Sequence, residues 1–103
     1  MNKKTDQITA KNYNKMKETE ADLVRDLQAV VKDASKEASL SDEIFQKHQD
    51  WLKLIMPNYS PEIHLGIIKG YENIERYQSY YDNKAGKGAT NILIKIVKAH
   101  LAK

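Results

Sequence analysis

The sequence predicts an all-α fold, a small bundle of four or five helices. Three observations predict it. Apolar residues recur at steps of three and four, and no segment alternates over a strand-length run. Helix start and stop signals divide the chain into pieces of helical length. The stretch from Ala10 to Ser39 holds neither Gly nor Pro. At 103 residues, the chain suits one domain with one modest core.

Residues 1–9 are polar and read as a disordered start, leaving 10–103 as the folded domain. The first helix is expected over 10–39. Its apolar stripe is Met16, Leu23, Leu27, Val30, Val31, Ala34 and Ala38. The first half of that stripe is weak and needs a partner, a ligand or a second copy. Ser41, followed by Asp42 and Glu43, reads as the cap of a second helix. Ile44, Phe45, His48, Trp51, Leu52 and Ile55 form its inner face, and Pro57 stops it. Ser60 caps the third helix, with Pro61 at its first position. Ile63, Ile67, Ile68 and Tyr71 continue inward. Gly70 and Asn73 predict a break near residue 72, after which helix resumes over 74–83. Gly86 and Gly88 mark a cap and turn. The last helix is expected over 89–102, with Ile92, Leu93, Ile96, Val97, Ala99 and Leu101 inside.

Composition narrows the function. Apolar residues make up 41% and charged residues 30%, as in an ordinary soluble globular protein. With no cysteine there is no disulfide, thiolate metal site or thiol nucleophile, and a cytoplasmic setting is expected for so small an unstapled domain. The polar start is not a signal peptide, and no apolar run is long enough to span a membrane. Net charge is +3, and residues 84–103 carry five lysines and no acid. A solvated helix face explains those lysines better than nucleic-acid contact, because no arginine cluster or helix-turn-helix pattern accompanies them.

Catalytic and cofactor patterns are missing. There is no Ser-His-Asp order and no paired-carboxylate motif, so no enzyme and no cofactor are expected. His48, His64 and Glu72 lack the spacing of a metal site, and no histidine stands out as a haem ligand. Gly86-Lys87-Gly88 lacks the flanking strand of a phosphate loop.

What remains is a ring-rich segment. It runs His48, Trp51, Pro61, His64, Tyr71, Arg76, Tyr77, Tyr80, Tyr81, Asp82 at helix-compatible offsets. Rings with polar tips suit the binding of a large, flat, partly apolar molecule. Each also has a plain reading: Trp51 as core anchor, His48 and His64 as hydrogen-bonded interior residues, and the tyrosines shared between core and cleft.

This segment resembles the TipAS antibiotic-recognition domain, found at the C-terminal end of some MerR-type bacterial transcription activators and sometimes alone. The shared pattern is His-x-x-Trp, Pro-x-x-His, then the tyrosine-rich run, a glycine turn and an apolar last helix. Tyr71, Arg76, Tyr81 and Asp82 match; Tyr77 stands where Phe is usual, and Ile74 where Asp is usual. The resemblance covers about residues 41–101, and upstream of residue 40 only the helical pattern agrees. It implies a globin-like arrangement and a ligand cleft. The expected ligand-binding residues are Trp51, His64, Tyr71, Arg76, Tyr77 and Tyr81. The expected partner is a bulky amphipathic molecule such as a thiopeptide-like antibiotic. Without cysteine, that ligand must be held non-covalently or through a weaker nucleophile such as lysine. The competing expectation is a helical interaction module, dimerising through the 10–39 helix, whose tyrosines serve only the core.

Overall fold

The apolar stripe of the first helix docks only in its second half. A computed structural model describes residues 10–102, with side chains from Tyr13 onward; the expected disordered start at 1–9 lies outside the described residues. Helix α1 spans Ala10–Lys32 and seals Leu23, Leu27 and Val30 from solvent. Tyr13 is exposed and Met16 half-buried.

The first break falls at Asp33, not near residue 40. Asp33 is extended, and its carboxylate accepts from the Ser35 backbone N–H at 3.1 Å and the Ser35 hydroxyl at 2.6 Å. Such local bonds compete with continuation of a helix. A single 3₁₀ turn, Ala34–Lys36, then leads into α2, Glu37–Ile55. Ser41 is therefore inside α2 and caps nothing. Ala34 and Ala38 are exposed, so the apolar stripe had no anchor past Lys32. Lys47 of α2 bonds Asp26 of α1 at 3.0 Å and Glu43 at 2.9 Å, pinning the two helices together.

The third helix begins as its signals predict. Ser60 is extended, its hydroxyl accepts from the Ile63 N–H at 3.2 Å, and Pro61 opens α3, Pro61–Asn73. Ile74 is extended and ends it. The helix expected over 74–83 is instead two short ones, α4 (Glu75–Gln78) and α5 (Asp82–Ala85). The cause is Thr90, whose hydroxyl oxygen accepts the backbone N–H of both Tyr81 and Asp82 at 3.1 Å. Those donors are lost to a continuous helix. Gly86 and Gly88 turn the chain at positive φ, +119° and +94°. At Gly86 a Cβ would also crowd Val31 Cγ1 at 3.1 Å, so a side chain there would be strained by both backbone and neighbour.

Helix α6, Ala89–Leu101, runs through the centre with Ala89, Leu93, Ile94, Ile96 and Val97 buried. Around it lie Leu23, Leu27 and Val30 of α1, Ile44 of α2, Ile68 and Tyr71 of α3, and Tyr81 and Ala85. No strand occurs among the described residues, and the architecture is the all-α bundle that the periodicity predicts. No described helix is long and apolar enough to cross a membrane.

Candidate ligand-binding groove

Two glycines border an open apolar hollow between α2 and α3. Gly66 and Gly70 stand one turn apart on α3 and leave one strip of the helix surface without side chains. A Cβ at Gly66 would meet nothing within 4 Å, and one at Gly70 would meet only Ile74 Cδ1 at 3.9 Å. The space they leave is an open groove of about 410 Å³. Trp51, Leu52, Ile55 and Met56 at the end of α2 form one wall. Ile67 and Tyr71 of α3 flank the glycines, and Ile74, Tyr77 and Tyr80 close the far side. Four large apolar side chains are exposed among the described residues, and three of them, Ile55, Ile74 and Tyr77, line this groove. Apolar side chains concentrated on one concave surface mark a binding site far better than the same residues scattered.

Behind the groove lies a buried polar chain. His48 and His64 are fully buried, one on α2 and one on α3. His48 Nδ1 is 2.8 Å from His64 Nε2, and His48 Nε2 is 3.2 Å from the Tyr71 hydroxyl. His64 Nδ1 is 2.7 Å from the Tyr59 hydroxyl, which also accepts from Gln49 Nε2 at 3.2 Å. A neutral imidazole donates through one nitrogen and accepts through the other, so both rings are satisfied. Burial, with a smaller contribution from His64, pushes the His48 pKa down to about 3; burial alone takes His64 to about 4. Both rings are therefore uncharged at neutral pH. Burial likewise holds the Tyr71 phenol well above its ordinary value.

A second polar contact ties the tyrosines to α1. Tyr80 and Tyr81 both donate to Glu20 Oε2, at 2.9 and 3.2 Å. Their rings meet edge to face with centroids 4.7 Å apart, and the Tyr80 ring lies parallel to that of Tyr71. Burial and then the Glu20 carboxylate raise the Tyr80 pKa to about 12.

The residues singled out from sequence thus separate into two sets. Trp51, Tyr71 and Tyr77 come together on the groove wall. Trp51 is half-buried there rather than sealed in the core as an anchor. Arg76 is exposed and does not line the groove; its guanidinium is 5.1 Å from the centroid of the Tyr77 ring. His64 and Tyr81 are fully buried and do not line the groove. Tyr77, Tyr80 and Tyr81 do not share one helical face, because the helix that would align them is interrupted. The apolar floor and rim, Gly66, Gly70, Ile55, Met56 and Ile74, are not among the ligand-binding residues expected from sequence. The sequence carries one signal for them, a Gly-x-x-x-Gly step at Gly66 and Gly70. His48, His64 and Glu72 form no cation cage, and no group of three potential ligands is placed to hold a metal among the described residues.

Comparison with curated proteins and with solved structures finds no match. The sequence model of the TipAS antibiotic-recognition domain matches residues 1–100, so the likeness extends upstream of residue 41 and takes in α1 as well as the ring-rich segment. With nearly its whole length so matched, the chain belongs to the TipAS antibiotic-recognition domain family.

Proposed function

We propose that this domain binds a bulky amphipathic antibiotic or drug-like molecule in the α2–α3 groove, without chemical turnover. The observation that carries the reading is the groove itself: an apolar trough built on two glycines and rimmed by exposed Ile55, Ile74 and Tyr77, in a member of an antibiotic-recognition family. Its volume of about 410 Å³ suits part of a large ligand, the remainder staying outside. Trp51, Tyr71 and Tyr77 contact the ligand directly, and Arg76 reaches it from beside Tyr77. His64 and Tyr81 act from behind, holding Tyr71 and Tyr80 through His48 and Glu20. Binding is non-covalent as far as thiols are concerned, since the chain has no cysteine.

The domain serves either as the effector part of a MerR-type transcription regulator or as a free-standing sequestering protein, in the cytoplasm, with no nucleic-acid contact of its own. A second reading, a helical interaction or dimerisation module, draws support from exposed Tyr13 on the weakly docked half of α1. Titration separates the two readings. Trp51 is the sole tryptophan and lines the groove, so its emission reports occupancy. Thiopeptides and other large amphipathic antibiotics should shift that emission saturably. If none does, while the chain self-associates through α1, the interaction reading replaces this one.

A further inference from the structure

The apolar groove has a polar neighbour. On the other side of Tyr71 lies a second hollow of about 440 Å³, bordered by Tyr71, Glu72, Gln78, Asn91 and Ile94. The two hollows share Tyr71 as a common wall. Helix α4 runs between them: Tyr77 faces the groove and Gln78 the second hollow. The chain from Asn73 to Ser79 is exposed throughout.

The chemistry of the second hollow is distinct. Besides the Tyr71 phenol, whose hydroxyl is 3.2 Å from His48 Nε2, its polar side chains are two carboxamides and one carboxylate. Lys98 Nζ bonds the Glu72 carboxylate at 2.5 Å and offsets its charge. Gln78 Nε2 donates to the Glu72 carbonyl at 2.6 Å, which fixes the amide and leaves its oxygen as an acceptor. An anionic group would meet Glu72, and a cation would compete with Lys98. Carboxamides both donate and accept, and a neutral amide or hydroxyl complements them best.

We propose that this hollow is the polar subsite of the same binding site. It takes a neutral amide or hydroxyl arm of a molecule whose apolar body fills the groove, and Asn91 and Gln78 select that arm. The inference rests on the groove reading above and adds the chemistry of the ligand's second end.

A matched pair of probes tests it on the full chain by NMR titration: N-(1-naphthylacetyl)glycinamide, which carries an amide arm, and 1-butylnaphthalene, which does not. The amide probe should shift the side-chain amide resonances of Asn91 and Gln78, and the hydrocarbon should not. Asn91→Leu, at an exposed position, should weaken the amide probe about 3- to 10-fold, the worth of one hydrogen bond, and leave the hydrocarbon within about twofold. Gln78→Leu should do the same, and Gly66→Leu should weaken both probes. If Gly66→Leu weakens both but neither Asn91→Leu nor Gln78→Leu changes the preference, the polar subsite is wrong and the groove stands. If neither probe binds up to about 1 mM, or Gly66→Leu affects neither, the groove reading fails and takes the subsite with it.

Discussion

Thr90 sets the path of the chain beside the groove with one hydroxyl. It is 1% exposed, and its oxygen accepts the N–H groups of Tyr81 and Asp82 while the Asp82 carboxylate accepts the Thr90 N–H at 2.8 Å. Burial works to raise the Asp82 pKa, but backbone N–H groups of Thr90 and Gly88 outweigh it and hold the carboxyl below its usual value. Thr90→Val keeps the shape and removes the acceptor, stranding two backbone donors. We expect a loss of roughly 1–3 kcal/mol in urea unfolding, with Thr90→Ser close to wild type. Equal stability of the valine variant would show that the clamp does not hold the turn. At this scale the sequence was a partial guide. Trp51, Tyr71 and Tyr77 stood out in the sequence as rings with polar tips, and the fold brings them to one groove wall. Gly66 did not stand out, because a glycine that makes room looks the same in sequence as one that breaks a helix.

The elements show where periodicity is enough and where it is not. Ser60-Pro61 marked the start of α3 correctly, since cap and proline act locally. Ser41 did not mark the start of α2, because Asp33 had already ended α1 through its own short-range bonds. The interruption between α4 and α5 depends on Thr90, eight or nine residues away, and no local pattern carries it. Nor does sequence show that His48 on α2 and His64 on α3 meet at 2.8 Å. That pairing has a consequence for pH. Both pKa values lie below the ordinary 6.5 in the folded state, so the unfolded chain takes up protons that the folded chain refuses. The stability these rings supply is fully present above about pH 6.5. It is lost as pH falls toward about 4 for His64 and about 3 for His48. At pH 5 the loss should approach roughly 2 kcal/mol per ring. Urea midpoints compared at pH 7 and pH 5 read this directly, and coincident midpoints would mean that the rings are charged or solvated in the fold.

For the whole molecule, one physical circumstance joins fold to function: a bundle whose α2–α3 face is left unfilled. The exposed groove residues Ile55, Ile74 and Tyr77 lie outside the sealed core of Leu23, Leu27, Ile68, Leu93 and Val97. Filling the trough therefore costs the fold nothing, and an occupant would gain contact with Ile55, Ile74 and Tyr77, which now face water. Calorimetric binding of the antibiotic that shifts Trp51 emission most, measured on wild type, Gly66→Ala and Gly66→Leu, tests the trough as the binding site. A Cβ at position 66 meets nothing within 4 Å, so both variants should unfold at or above the wild-type temperature, with Gly→Ala worth roughly 0.5–1 kcal/mol in a helix interior. Folded Gly66→Leu should bind at least about tenfold more weakly, since its side chain would occupy the trough, an effect of about 1.4 kcal/mol or more. Wild-type affinity in a folded Gly66→Leu protein would contradict the trough as the binding site.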